Sequence, residues 1–362
     1  MMGVYIHIPF CNNICSYCDF CKMYYKKEYV DKYLNILEKE IKLRYKNEIV
    51  KTIYIGGGTP SSLDILQLDK LLSIISIIKI DNNYEYTIEC NIEDINIEKL
   101  KLFKKYGINR ISIGVESFDD KIIKKLNRHH DREMVFNNIN LVKKYFDNIN
   151  IDLIYGLSDD INIVKEDINC FLKLDIPHIS YYSLIIEENT KLYIDKHKYI
   201  DESTDKEMFD YINKVLIDKG YKHYEISNYA KDGYESIHNK NYWLNGEYYG
   251  FGLSAVSYLN SHRISNTKNL TKYLSELYIE EDNYEDININ KENDLILGLR
   301  LINGIDIDNY NEKYNDNLLE KDIIKELINN NYLEVVNNML KCNYKYIYLE
   351  NYILEKIIGS DL

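Results

Sequence analysis

Three cysteines close to the amino terminus restrict the fold and chemistry of this chain more than any other feature. Cys11, Cys15 and Cys18 form a Cys-x3-Cys-x2-Cys run. A cubane iron-sulfur cluster that only transfers electrons is held by four thiolates. A loop that supplies three thiolates leaves one iron without a protein ligand, and that open iron is where chemistry would take place.

Cys21 keeps a second interpretation open, because Cys18 and Cys21 form a Cys-x2-Cys pair. Zinc sites usually have four ligands, in two such pairs or in a Cys pair and a His pair. A four-cysteine zinc site or a ferredoxin-like site is therefore the alternative. With zinc, the protein would be a metal-stabilised binding domain without redox chemistry.

Charge and cysteine usage limit the partners and the compartment. The chain has 362 residues, with 45 Lys and Arg against 58 Asp and Glu, a formal net charge of -13. We therefore expect no nucleic-acid partner. No apolar run is long enough for a membrane span, so we expect no stable membrane insertion. Seven cysteines without a disulfide pattern favour a reducing compartment, and we predict a cytoplasmic protein.

Short β-rich runs alternate with longer helical patterns as far as about residue 230, which predicts an α/β fold of parallel βα units. The predicted strands cover residues 4–8, 52–55, 85–89, 110–114, 150–154 and 178–184. Apolar residues at helical spacing predict helices over residues 30–43, 65–78, 97–106, 134–145 and 163–174. Six units predict an incomplete parallel (β/α)6 barrel over residues 1–230. Ligands bind at the carboxyl ends of such strands, where Cys11, Gly56, Glu89 and Glu116 are placed.

The rest of the chain is less regular. Residues 231–290 are predicted to be a connecting region, and residues 291–362 a smaller C-terminal domain. Helices are predicted over residues 294–301, 318–329 and 353–358, and a hairpin over residues 332–336 and 344–349. This combination predicts a helical, winged-helix-like domain. Because Lys and Arg are sparse there, we expect a packing or lid role and no DNA binding.

The cysteine spacing, with Tyr17 just before the third cysteine, resembles the radical S-adenosylmethionine (SAM) superfamily. In that family the amino and carboxylate groups of SAM occupy the free iron, and one electron from the cluster cleaves a carbon-sulfur bond to give a deoxyadenosyl radical. The resemblance implies a 4Fe-4S cluster on Cys11, Cys15 and Cys18, with SAM as cofactor and an electron donor as partner.

Further motifs follow in the order typical of one group in that superfamily. They are Tyr-Ile-His-Ile-Pro-Phe-Cys at residues 5–11, Gly-Gly-Gly-Thr-Pro at 56–60, Gly-Val-Glu-Ser-Phe at 114–118 and Asp-Leu-Ile-Tyr-Gly-Leu at 152–157. Over nearly the entire chain they resemble the oxygen-independent coproporphyrinogen III oxidase group. The resemblance implies SAM contacts at Tyr5, Tyr17, Gly57, Gly58, Thr59, Glu89, Glu116, Arg128, Asp152, Ile185 and Val256. Glu116 replaces a Gln at a second SAM site of the oxidase, and its added charge is expected to weaken or alter such a site.

Two branches of the group differ in their ends and motifs. The oxidase has an extension before the cluster strand and a Cys-x-Cys ending to its cluster motif, whereas here the first strand is expected two residues into the chain and Asp19 and Phe20 separate Cys18 from Cys21. His-Asn-Lys-Asn-Tyr-Trp at residues 238–243 also resembles the His-Asn-x-x-Tyr-Trp motif of the HemW-like heme chaperones. These features favour the chaperone branch.

The chaperone resemblance implies heme-binding candidates. Histidine is a common axial ligand of heme iron, and Tyr and Trp stack on flat rings. The candidates are His238, Asn239, Tyr242 and Trp243. A structural corner with a hydrogen-bonded His and a buried Trp is the alternative, since such residues often belong to a core.

The resemblance therefore implies a heme chaperone that binds heme, passes it to an acceptor protein and carries a SAM-coordinated 4Fe-4S cluster. The alternative is an enzyme, oxygen-independent coproporphyrinogen III dehydrogenase. That enzyme converts two propionate side chains to vinyl groups with loss of carbon dioxide.

Overall fold

The computed structural model describes residues 1–360. Its main sheet runs through most of the chain and contains the parallel strands that the sequence predicts. The strands, in chain order, are β1 (Gly3–Ile8), β2 (Phe10–Cys11), β3 (Met23–Tyr24), β4 (Val50–Gly57), β5 (Ile80–Asn91), β6 (Arg110–Glu116), β7 (Asn148–Tyr155), β8 (His178–Ser183), β9 (Lys222–Glu225), β10 (Asn228–Ala230), β11 (Tyr248–Phe251), β12 (Val256–Leu259), β13 (His262–Asn266), β14 (Ile279–Tyr284), β15 (Ile305–Asp306), β16 (Leu333–Val336) and β17 (Met339–Cys342).

Within residues 1–360, the six strands β1, β4, β5, β6, β7 and β8 lie side by side and pair in parallel. β11 adds to β1 in parallel, and β12, β13 and β14 continue the sheet as an antiparallel extension. β10 and β9 extend the opposite edge in antiparallel orientation. The sheet therefore has two free ends and curves into the predicted incomplete barrel. Residues 248–284, predicted as part of a connecting region, supply four of its strands.

The described residues contain helices that follow the barrel strands and cover the outer face of the sheet, together with others that lie in connecting segments or in the C-terminal part. They are α1 (Lys27–Arg44), α2 (Ile65–Ile75), α3 (Ile97–Lys105), α4 (Asp120–Lys125), α5 (Arg132–Val142), α6 (Ile161–Leu174), α7 (Lys191–Ile194), α8 (Glu202–Asp218), α9 (Ile237–Trp243), α10 (Leu270–Leu274), α11 (Ile287–Gly298), α12 (Ile307–Tyr314), α13 (Asp322–Asn329) and α14 (Glu350–Ile357). Each long helix begins at a polar side chain or in extended backbone; α2, for example, starts with a capping box between Asp64 and Gln67.

The two faces of the parallel sheet differ in chemistry. Outward positions carry apolar residues that pack against the helices, such as Ile111 and Ile113 of β6. Inward positions carry polar residues; examples are Arg110 and Ser112 on the same strand, and Asp152 on β7. This alternation follows from the period of two along a strand. The apolar core thus lies between sheet and helices, and the barrel interior is polar.

The C-terminal part has its own three-stranded antiparallel sheet, in the order β15-β17-β16, packed with helices in the predicted winged-helix-like manner. The predicted second hairpin strand, residues 344–349, is wrong. Asn337 and Asn338 adopt positive φ and turn the chain after β16, so β17 starts at residue 339. Residues 344–349 instead form a 3-10 helix that Asn343 caps through the backbone N–H of Lys345.

Within residues 1–360, the helices are all too short or too polar to cross a lipid bilayer.

Candidate functional site

The carboxyl ends of the parallel strands surround a cavity of about 410 Å³. Twelve of the residues predicted to bind the cluster or SAM line it: Cys11, Cys15, Tyr17, Cys18, Gly57, Gly58, Thr59, Glu89, Glu116, Arg128, Asp152 and Ile185. They come from segments spread between residues 11 and 185. Their convergence follows from the parallel topology, which brings the same end of every strand to one mouth.

The cysteine loop is held against this mouth by polar contacts. The hydroxyl of Thr59 donates to Sγ of Cys11 at 3.3 Å, and Nη1 of Arg128 lies 3.8 Å from Sγ of Cys15. His7, on the inward face of β1, bonds through Nε2 to the carbonyl oxygen of Cys21 at 2.8 Å. The early histidine therefore orients the loop, and the carbonyl of Cys21 is part of that anchor.

The three cysteines predicted to hold a cluster all line this cavity. Within residues 1–360, no group of three or more His, Cys, Asp or Glu side chains surrounds a single ion position. Burial raises the pKa of Cys11 to about 11 and that of Cys18 to about 12, so iron binding would release protons. Cys21 does not line the cavity.

Glu89, at the end of β5, is held from two sides. The hydroxyl of Tyr54 donates to its Oε1 at 2.7 Å, and the backbone N–H of Gly57 donates to its Oε2 at 3.0 Å. A Cβ on Gly56 would lie 2.7 Å from Oε2, so only glycine leaves room for the carboxylate. Burial raises the pKa of Glu89 to about 7, and the Tyr54 hydrogen bond opposes this shift.

A second acidic group lines the cavity at the end of the neighbouring strand β6. Glu116 follows a bulge at the end of β6 and has a φ of 67°. Its Oε1 lies 3.3 Å from Nη2 of Arg128, with both side chains buried. Burial raises the pKa of Glu116 to about 7 and also raises that of Asp152, which accepts a hydrogen bond from Ser112 at 3.2 Å. The lining thus combines five acids, Asp19, Glu89, Glu116, Asp152 and Glu187, with two cations, Lys22 and Arg128, and this acidic excess suits a cationic ligand.

The sequence reasoning missed several residues that line the cavity. Tyr54 and Ser112 do so, and Asn91 accepts a hydrogen bond from Nη1 of Arg128 at 2.6 Å. Tyr54 lies two residues before Gly56, Ser112 two residues before Gly114, and Asn91 two residues after Glu89. The period of two along a strand is therefore the signal that would have found them.

Two of the predicted SAM contacts lie outside the lining of the cavity. Tyr5 sits deeper in the barrel, where its hydroxyl bonds to Nδ1 of His7 at 3.0 Å. Val256 lies on β12, paired with Ser265 in the antiparallel extension. Neither residue lines the mouth where the cysteines converge.

The His-Asn-x-x-Tyr-Trp motif forms α9, at the other end of the barrel. His238 is 1% exposed, and both ring nitrogens are bonded within the protein: Nδ1 to the hydroxyl of Thr52 and Nε2 to that of Tyr242, each at 2.8 Å. Burial lowers the pKa of His238 to about 3, so the ring is neutral. Trp243 packs under the guanidinium of Arg300 at 5.0 Å. Asn239 lies in the first turn, where its N–H donates to Ser236.

Comparison with known proteins identifies the family of the chain. Residues 5–166 match the Radical SAM superfamily. The chain is 36% identical to the heme chaperone HemW of Lactococcus lactis over 372 residues, which covers 99% of this chain and 98% of the relative. It is also 36% identical to the heme chaperone HemW of Bacillus subtilis, covering 90% of this chain and 91% of the relative. The chain belongs to the HemW family of radical SAM proteins.

The HemW assignment extends to distant relatives and to the fold. The heme chaperone HemW of Escherichia coli is 35% identical over 70% of this chain and 69% of its own length. The structure of coproporphyrinogen III oxidase (HemN) from Escherichia coli superposes with a TM-score of 0.88 at 21% identity, covering 99% of this chain and 90% of that one. This HemW family member therefore has the HemN fold, and its superfamily implies a 4Fe-4S cluster and SAM.

Proposed function

We propose that the protein is a heme chaperone, which binds heme and transfers it to an acceptor protein. The observation that carries the proposal is the match to proteins named heme chaperone HemW over 99% of the chain. Membership of the family by itself does not separate this role from porphyrin chemistry on the same fold. The experiment below therefore measures both.

Within this proposal the cavity holds the cluster and SAM. Cys11, Cys15 and Cys18 ligate three irons of a 4Fe-4S cluster. When bound, the cluster and SAM together supply one-electron chemistry at a carbon-sulfur bond of SAM. The protein's own groups bind and orient the cofactor: the buried Glu89 carboxylate accepts from the amino group of SAM.

The backbone of the glycine loop forms one wall of the site. Gly57 and Gly58 carry no side chain, so a ligand can approach their amides closely. The amide of Gly57 already donates to Glu89, and that of Gly58 donates to the carbonyl of Ile8 at 2.8 Å. The loop therefore acts mainly as a fixed wall of the site, with Thr59 directed at Cys11.

The second group of acids has a separate role in the proposal. Glu116, Arg128 and Asp152 line the same cavity as the cysteines: Glu116 ends β6, the neighbour of the Glu89 strand, Asp152 lies on β7, and Arg128 lies in the loop after α4. Glu116 occupies the place where the oxidase group has a neutral Gln, and it pairs with Arg128 at 3.3 Å. Because the guanidinium of Arg128 is already paired with Glu116, we propose that the protein binds one SAM molecule and that its second SAM site is weakened.

The heme position remains a prediction. His238 is 1% exposed, and both of its ring nitrogens are hydrogen-bonded. To ligate iron, the ring would have to lose one of these two bonds and move out of its buried position. The partners in the proposal are heme, an acceptor protein and an electron donor, in the cytoplasm.

An anaerobic assay tests the proposal. The cluster is reconstituted, and heme binding, heme transfer to the apo form of a heme protein and conversion of coproporphyrinogen III are measured on the same sample. We expect about one heme per chain that moves to the acceptor, with no vinyl product. Conversion of coproporphyrinogen III, or failure to bind heme, would overturn the chaperone assignment.

A further inference from the structure

Helix α9 closes the base of the barrel, at the end opposite the cysteine loop. His238 contacts Thr52, which lies near the amino end of β4, whereas the cysteines follow the carboxyl end of β1. Glu85 at the inner face of β5 accepts from the backbone N–H groups of Ile237 and His238 at 2.9 and 3.0 Å. The first turn of α9 is thus fixed to the sheet by a buried carboxylate.

Tyr54 connects this base to the cavity. Its ring lies on the imidazole of His238, with a centroid distance of 5.1 Å and an angle of 25° between the planes. Its hydroxyl donates to Oε1 of Glu89 at 2.7 Å. A single side chain on β4 therefore touches the motif at one end and the candidate SAM-binding acid at the other.

Both partners of Tyr54, the His238 ring and the Glu89 carboxylate, are held in place by other contacts. The His238 ring is held at Nδ1 and Nε2 by the hydroxyls of Thr52 and Tyr242, so it can neither rotate nor flip without losing two hydrogen bonds. Glu89 is fixed by the N–H of Gly57 and by the tight space beside Gly56. Burial raises the pKa of Tyr54 far above its ordinary value, so its hydroxyl stays a donor at neutral pH.

We propose that Tyr54, seated on His238, is a positioning residue that holds the Glu89 carboxylate in the orientation that binds the amino group of SAM. In this role the His-Asn-x-x-Tyr-Trp motif contributes to the cofactor site from beneath, with no ligand to iron. The inference rests on the proposed placement of SAM beside Glu89. It assigns a function to Tyr54 and His238 that the cysteine and glycine motifs do not contain.

Conservative variants of the full chain test this assignment. Tyr54→Phe keeps the ring on His238 and removes the hydroxyl, and His238→Gln keeps hydrogen-bonding capacity and removes the flat ring. Tyr86→Phe is the matched control, since Tyr86 lies on the neighbouring strand β5, is 5% exposed, and its hydroxyl has no hydrogen-bond partner among residues 1–360. The dissociation constant of SAM is measured on cluster-reconstituted protein by anaerobic calorimetry, and heme per chain is measured separately.

We expect Tyr54→Phe to weaken SAM binding about tenfold, since it removes one hydrogen bond to a charged group. The pH midpoint of SAM binding should also move upwards, because the lost hydrogen bond lowers the pKa of Glu89 in the intact protein. His238→Gln should weaken SAM binding several-fold. Tyr86→Phe should change neither constant.

Three results would overturn the assignment. The first is a Tyr54→Phe variant with the SAM affinity and pH midpoint of the intact protein. The second is an equal loss in Tyr86→Phe, which would reduce the effect to packing. The third is a His238→Gln variant that loses heme and keeps its SAM affinity, as an iron ligand would. An intact protein that binds SAM and no heme would instead refute the chaperone proposal and leave the Tyr54 result standing.

Discussion

The buried ion pair of Arg128 and Glu116 allows a quantitative prediction. The two side chains are 4% and 6% exposed, and Nη2 lies 3.3 Å from Oε1. At an effective dielectric constant of about 20, two unit charges at that distance attract by about 5 kcal/mol. Arg128 also donates to Oδ1 of Asn91 at 2.6 Å, so its guanidinium has partners on two strands.

The change Arg128→Met keeps most of the volume and removes the cation. Removing one partner of a buried pair costs about 3–5 kcal/mol, because the other charge stays buried. Glu116 can limit that cost by taking up a proton, since burial already raises its pKa to about 7. An acid whose pKa is raised in the folded protein contributes stability at low pH, and this contribution is lost as the pH rises through that value. The cost should therefore be largest at about pH 8 and much smaller at about pH 5.5.

The measurement is urea denaturation of the metal-free protein under reducing conditions, followed by circular dichroism and by Trp243 fluorescence. Arg132→Met is the control, because Arg132 pairs with Glu166 at 2.6 Å with side chains 43% and 44% exposed, where a pair contributes less than about 1 kcal/mol. The double change Arg128→Met with Glu116→Gln should recover most of the loss. A cost equal to that of Arg132→Met at about pH 8, or one that does not vary with pH, would refute this reasoning.

Four further outcomes follow from the site and its surroundings. Cys18→Ser should abolish the 4Fe-4S cluster and Cys21→Ser should retain it, as measured by iron and sulfide per chain. Gly56→Ala should weaken SAM binding at least tenfold, measured by calorimetry, because the new methyl group displaces the Glu89 carboxylate. SAM affinity should rise as the pH increases through about 7, where Glu89 ionises, and titration of the affinity against pH checks this. Glu350→Gln should reduce the loss of melting temperature between about pH 5 and pH 8, because burial raises the pKa of Glu350 to about 7, so that the fold favours its protonated carboxyl, and Gln cannot ionise.

The barrel was predictable because its strands carry a strong signal. Outward positions such as Val4 and Ile6 are apolar, whereas the residue types at inward positions differ from strand to strand. Six short β-rich runs could therefore be recognised between the helical patterns. The cysteine and glycine motifs then placed the site at the carboxyl ends. Helix α8 (Glu202–Asp218) was not predicted, although Asp201 caps it and Met208, Phe209, Ile212 and Leu216 recur at helical spacing.

Contacts across the sheet were not predictable from the chain alone. The Tyr54 hydroxyl meets Glu89 only because β4 and β5 pair with Tyr54 opposite Thr87, and that register is set by packing of the whole barrel. The prediction of the second hairpin strand was wrong for a local reason. Tyr recurs at every second position over residues 344–349, which resembles a strand, but the Asn337-Asn338 turn is only two residues long and places β17 earlier.

The polar lumen and the apolar outer layer lie on opposite faces of one sheet and have different roles. Stability resides with the outward Ile, Val and Leu residues, and chemistry with the inward acids, amides and hydroxyls. Substitutions inside the barrel can therefore alter what is bound without unfolding the scaffold, provided that each buried charge keeps a partner. The lumen is therefore the place to redesign ligand preference.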